Sequence, residues 1–296
     1  ISANNTRIRF NVDTRDSVVH SSLSFNYNST TKKAKMDMEK GSFYEEAPFR
    51  DSYHVMDIKC DRAIWQLDSN KVYFYITQGK KQVPAFFESH NFYSQRRFED
   101  IQSIYSFHPL RIVFMHSSKI KKETFSIDEL VAQYQGKISE QAIMSSMKHL
   151  ASMGYVEYDE KTRDITLLPK GKQFGVTSYG GNDFDLMSIA SIDAPSYNGY
   201  LDFQNNNLKV QGVTKVFLHD SLNINIIPAK RELIVLKNRD LLFNGGVNAG
   251  MFYTIGRDFR LDYKKYMIEL PQIDSLQMRE YDKKGKSKPV GQLENR

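Results

Sequence analysis

Apolar and polar residues alternate with a period of two from Thr6 to about Gln102. Ile8, Phe10 and Val12 are separated by polar residues, as are Leu23, Phe25 and Tyr27, then Val55 near Ile58 and Cys60, then Val72, Phe74 and Ile76. A period of two places every second side chain on one face, so this stretch predicts short strands. Asn28-Ser29-Thr30, Asp68-Ser69-Asn70 and Gln78-Gly79-Lys80 supply turn chemistry between them. From Ser106 to Phe174 the period changes. His108-Pro109 places proline at a first helical turn, and Leu110, Val113 and Phe114 follow at helical spacing. Ser126-Ile127-Asp128-Glu129 has the form of a capping box before Ile127, Leu130, Val131 and Tyr134. Gln135-Gly136-Lys137 breaks that helix. Ser139 can cap a third, whose buried stripe is Ala142, Ile143, Met147, Leu150 and Ala151, and Gly154 ends it. Tyr155 to Tyr158 and Ile165 to Leu168 read as a hairpin closed by Pro169-Lys170-Gly171.

Beyond the junction Gly180-Gly181-Asn182-Asp183, short apolar pieces recur between turn residues from Tyr200 to Leu270, too short and too frequent for helices. Arg239-Asp240-Leu241 is echoed 18 residues later by Arg257-Asp258-Phe259, and Asp220-Ser221-Leu222 by Asp274-Ser275-Leu276 at 54. Echoes of that size in strand-rich sequence favour rungs of a β-solenoid over a sandwich. Gly245, Gly246 and Gly250 lack the lysine-serine end of a phosphate loop and read as tight corners between strands.

On these residues the stretch of about 106–175 resembles a winged-helix domain of the helix-turn-helix class. The expected class is α+β: mostly antiparallel or solenoid-like β flanks at 1–103 and 180–296, with a winged-helix-like α/β unit at 104–179 between them. The run from Asn182 to about Glu280 carries Asn206-Asn207-Leu208, Gly212-Val213, and Gly256-Arg257-Asp258-Phe259 followed by Leu261-Asp262-Tyr263. It resembles repeated segments of large uncharacterised bacterial cell-envelope proteins. That resemblance, with Ile1 rather than methionine at the start, implies an internal fragment of an extracytoplasmic or envelope protein.

Charge and chemistry narrow the functional reading. The net charge is +6, but basic and acidic residues are interspersed, and the one basic run is Lys283, Lys284, Lys286 and Lys288. A solvated tail accounts for it. Were the third helix to enter a DNA groove, its outward face would be Gln141, Met144, Ser145, Lys148 and Ser152, with one cation, and the hairpin turn carries Asp159, Glu160 and Asp164 against Lys161 and Arg163. Phosphate neutralisation dominates DNA affinity, so this face is better suited to protein, and nucleic acid is disfavoured as a partner. Those five residues are the candidate partner-binding set, with other segments of the same parent chain among the expected partners. The seven histidines show no metal spacing, Asp183 and Asp185 alone do not make a calcium loop, and Cys60 stands alone. No cofactor, metal or catalytic residue is expected. No apolar run approaches the roughly 20 residues that cross a bilayer. The expectation is a non-catalytic structural or protein-interaction segment, with a DNA-binding regulator or an enzyme assembled from distant residues as alternatives.

Overall fold

The computed structural model describes residues 1–77, 83–181, 186–219, 223–281 and 287–294. The Gln78-Gly79-Lys80 turn, the Asn182-Asp183 part of the junction, Asp185, the Asp220-Ser221-Leu222 echo and Lys283, Lys284 and Lys286 lie outside the described residues. Eight strands come first: β1 (Ser2–Asn11), β2 (Ser17–Asn28), β3 (Lys33–Asp37), β4 (Phe49–Asp51), β5 (Met56–Lys59), β6 (Arg62–Gln66), β7 (Lys71–Tyr75) and β8 (Ala85–Ser89). The helical part follows as α1 (Gln95–Asp100), α2 (Pro109–Ile120), β9 (Thr124–Ser126), α3 (Ile127–Gln133), α4 (Glu140–Ser152), β10 (Val156–Asp159), β11 (Asp164–Leu167) and α5 (Pro169–Thr177). Strands then resume with β12 (Ser188–Ser191), β13 (Gly199–Asp202), β14 (Asn207–Gln211), β15 (Val216–His219), β16 (Ile224–Pro228) and β17 (Glu232–Val235). The chain closes with β18 (Leu241–Ala249), β19 (Phe252–Asp262), β20 (Met267–Glu269), β21 (Gln272–Tyr281) and β22 (Ser287–Glu294).

All strands except β9, β10 and β11 belong to one antiparallel sheet of 19 strands. Two long strands make it fold over on itself. The Ser24–Asn28 half of β2 pairs with β3, and its Val18–Val19 part pairs with β4. One ladder runs from β3 through β6, β7, β13, β14 and β17 to β18; the other runs from β4 through β5 and β8 to β12. β18 takes β17 on Leu241–Leu242 and β16 on Gly245–Asn248, and β16 in turn takes β15. Between β12 and β15 only an isolated bridge, Ser191 to Val213, joins the second ladder, so no barrel is closed. Both ladders bury their inner side chains in one core that mixes the two flanks, with Leu23, Phe49, Phe74 and Phe87 against Leu201, Ile226, Val235 and Phe259.

This corrects the expected class. Strand accounts for 46% of the chain and helix for 21%; the molecule is mostly one large antiparallel sheet, and a winged-helix unit is not evident. The β flanks are not separate strand rows because β7 pairs with β13 and β8 with β12, which spends the sheet edges that each flank would otherwise expose. Nor are they solenoid rungs. The echoed Arg239-Asp240-Leu241 and Arg257-Asp258-Phe259 lie at the antiparallel β18–β19 pair, where Phe243 faces Phe259 and Leu241 faces Leu261. Gly245 and Gly246 are strand interior rather than corners, and Gly245 is required because its φ is +135° and a Cβ there would stand 2.3 Å from the Ile227 carbonyl oxygen. The helices do not stand apart either. Their core takes in Tyr44, Ala47, Phe92, Tyr93, Phe98 and Ile101 from the first flank.

The local helix signals act as the sequence suggests. Pro109 opens α2, with the His108 ring accepting from the Arg111 amide. Ser126 and Glu129 form the capping box of α3, and Ser139 caps α4. α4 buries Ile143, Met147, Leu150 and Ala151, and Gly154 follows at φ +74°, a backbone state most residues avoid. Pro169-Lys170-Gly171, expected as a closing turn, instead starts α5, proline being at home in a first turn.

Candidate functional site

The five residues expected to meet a partner share the outer side of α4, and four of them are engaged within the chain. Lys148 forms an ion pair with Glu160 and lies 5.5 Å from the centre of the Phe43 ring. The Ser145 hydroxyl is 2.9 Å from the Tyr105 hydroxyl, and Ser152 donates to the His149 carbonyl at 2.8 Å. The Met144 sulfur is 3.9 Å from an Arg163 N–H, and Arg163 also bonds Asp128 and Glu140. Gln141 is left on the surface of a shallow hollow with Met144, Ser145 and Lys148. The acidic hairpin turn thus neutralises the one cation of this face and binds it down.

Polar groups that the sequence did not single out meet where α5 and the α4–β10 turn touch the sheet. The Lys170 ammonium donates to Asp57 Oδ2 at 2.8 Å and to the Met153 carbonyl at 3.2 Å, and lies 4.9 Å from the Tyr155 ring centre. His90 Nδ1 lies 3.6 Å from the other Asp57 oxygen. Burial pushes the Asp57 carboxyl up, but Lys170 and His90 outweigh it and hold the group well below the usual carboxylate range. Burial likewise works against the Lys170 charge, and Asp57 outweighs it in the other direction, so the lysine is raised. A lysine held charged in this way is a clasp and not a nucleophile, which would need the opposite shift. Beside it Glu157 binds Arg50, receives the Ser21 hydroxyl at 3.0 Å and lies 3.4 Å from Arg7. Tyr44 donates to the Tyr158 carbonyl and accepts the Tyr158 amide, both at 2.9 Å. The seam joins the helices to the sheet by charge and by hydrogen bonds at once.

Asp51 lies 2.6 Å from His54 Nδ1, and His54 Nε2 lies 2.9 Å from the Asn206 carbonyl, tying the β4–β5 turn to the β13–β14 turn. Cys60 is buried, its thiol pushed up by desolvation. Among the described residues no three metal-binding side chains gather, and no helix is long and apolar enough to cross a membrane.

The ribbon made by β19, β21 and β22 exposes large apolar side chains. Residues directly opposite on antiparallel neighbours share a face. One such row runs Val216, Ile226, Val247, Thr254, Leu276, Leu293 across six strands. Its first four members are buried in the core; Leu276 is half-buried and Leu293 is 71% exposed. The adjacent row on the same face holds Ala249, Phe252 and Met278, with Phe252 46% and Met278 43% exposed. The inner face of the sheet therefore runs out from under its cover. Among the described residues β22 pairs with β21 alone, leaving its outer main chain as a ladder edge. Strands this exposed follow no clean alternation, and nothing in the sequence separates them from the covered strands before them.

Comparison of the chain with protein-family models, with curated proteins and with solved structures finds no match.

Proposed function

We propose that the chain is a non-catalytic protein-interaction unit whose contact surface is the β19–β21–β22 ribbon. The observation that carries this is the row from Val216 to Leu293: an apolar face continuous with the core that ends uncovered at a sheet edge. Elsewhere in the molecule the same row is covered by strands of the facing ladder. The occupant that continues this arrangement is an extended segment of a protein partner with apolar residues at every second position, pairing along β22 and setting its side chains beside Leu293. The clasped state of Lys170 supports the absence of covalent chemistry at the seam.

Fluorescence anisotropy with a labelled peptide of alternating valine and threonine, flanked by lysines for solubility, tests the reading. Saturable binding should weaken about tenfold or more in Leu293→Lys, the loss expected when one buried leucine contact is removed. No binding to the wild type, or equal binding by Leu293→Lys, contradicts it. Self-association of the wild type in sedimentation, abolished by the same substitution, would assign the surface to a second copy and overturn the peptide.

A further inference from the structure

A cavity of about 230 Å³ opens at the seam, between β2, β4 and β5 on one side and the start of α5 on the other. Arg7, Arg50, Asp57, His90 and Lys170 stand around it, with Val19, Leu168 and Pro169 forming its apolar part. At about 30 Å³ per water it has the volume of roughly eight waters, too small for a drug-sized ligand and ample for a small anion.

Its donors and acceptors do not balance. The two carboxylates at the seam are engaged: Asp57 faces Lys170 at 2.8 Å and His90 at 3.6 Å, and Glu157 serves Arg50, Ser21 and Arg7. The donors are in excess. A guanidinium carries five N–H groups, and Arg50 is bonded to Glu157 through Nη2. The Arg7 contact to Glu157 is a 3.4 Å ion pair on a side chain that is 61% exposed, and the His90 separation from Asp57 is longer than a formed hydrogen bond. Three cations, Arg7, Arg50 and Lys170, stand against Asp57 and Glu157, which leaves one positive charge before the histidine is counted.

We propose that this cavity is a binding site for a small oxyanion. The ligand it fits is negative and rich in acceptors, a phosphate or carboxylate group received by Arg7, Arg50 and His90, with space beside Val19 and Leu168 for a short apolar substituent. Binding there would bridge the sheet and the helices, adding to the contacts that Lys170 and Glu157 already make across the seam.

The full chain is titrated calorimetrically at pH 7 with inorganic phosphate and, separately, with acetate, at ionic strength held constant with sodium chloride. Saturable binding in either arm supports the site, and the arm that binds names the oxyanion class. Arg50→Gln and Arg7→Gln should each weaken it about tenfold, the loss of one charge-assisted contact. Arg7→Gln removes a largely exposed side chain and so tests the site even if Arg50→Gln fails to fold. Lys172→Gln, whose ammonium pairs with Glu123 at 2.8 Å away from the cavity, should bind as the wild type does. The proposal falls if neither anion binds above the chloride background, or if Arg7→Gln binds as tightly as the wild type.

Discussion

His20 is almost fully buried on β2, and its two ring nitrogens are committed to different roles. Nδ1 accepts the Ser22 amide at 3.2 Å, and Nε2 lies 3.0 Å from the Ala47 carbonyl, to which it donates. That is the neutral ring. Burial, with a further push from Arg50, lowers its affinity for a proton from 6.5 to about 4. The folded-state value is depressed, so between these two limits the unfolded chain binds a proton that the native chain refuses. Stability is full above pH 6.5 and falls as the pH drops towards 4, by about 3 kcal/mol from this residue. Urea titrations at a series of pH values should show that slope, and His20→Gln should flatten it; an unchanged slope would mean another group carries it. The Asp57–Lys170 pair makes a second residue-scale prediction. Lys170→Met leaves a buried carboxylate alone and should cost about 3–5 kcal/mol, while adding Asp57→Leu should restore much of it. A loss below 1 kcal/mol in the single variant would show that the pair is hydrated rather than buried. Because Asp57 is held low, its contribution is present above the ordinary carboxylate pKa and fades only as the pH falls below about 4. None of these three residues was legible in the sequence. A buried histidine has no spacing of its own. Asp57, between the buried Met56 and Ile58, looks like any polar member of an alternating strand until Lys170, 113 residues away, arrives beside it.

Elements were legible where local chemistry decides them. The proline that opens α2, the caps at Ser126 and Ser139 and the stripe of α4 are set by neighbours within one or two turns, and they form as expected except that Ala142 is only half-buried. Met147 is fully buried in that stripe, so Met147→Asp should destabilise the chain by about 4 kcal/mol or more, read by thermal or urea unfolding. A midpoint unmoved by the substitution would put the wrong side of α4 in the core. α5 was missed because Pro169-Lys170-Gly171 has the composition of a turn; Gly171 is there for closeness, since a Cβ would stand 2.4 Å from the Tyr155 carbonyl oxygen. Among the described residues β21 and β22 contribute nothing to the buried core. Removing residues 271–296 should therefore leave a cooperatively folded protein whose melting midpoint moves by only a few degrees, roughly the effect of 1 kcal/mol in a chain of this size. Loss of the cooperative transition would show that the ribbon is part of the core after all.

At the scale of the whole molecule, the alternation before Gln102 and the short strands from Tyr200 onward announced β structure, and the cost of an exposed edge on each argued that they contact each other or the helical unit between them, but not which strands pair. Period and turn chemistry are local, whereas β7 pairing with β13 and β8 with β12 joins residues more than 95 positions apart. The missing information also misled the expected class. Two flanks read separately look like two strand-rich units around a helical one, but an unpaired edge on each is costly, and pairing them with each other removes both costs. The helices then dock on the finished sheet through Tyr44, Lys170 and Glu157. The central claim, that both flanks build one sheet, is tested most directly by a cross-link between them. Phe86 on β8 faces Ala190 on β12, and directly opposite residues on neighbouring antiparallel strands have Cβ atoms about 5 Å apart, within reach of a disulfide. With Cys60→Ala removing the native thiol, Phe86→Cys and Ala190→Cys should oxidise to an intramolecular disulfide under native conditions, seen as a mass loss of two hydrogens and a 103-residue loop in the peptide map. A folded protein in which these two thiols stay free under oxidant would contradict the shared sheet.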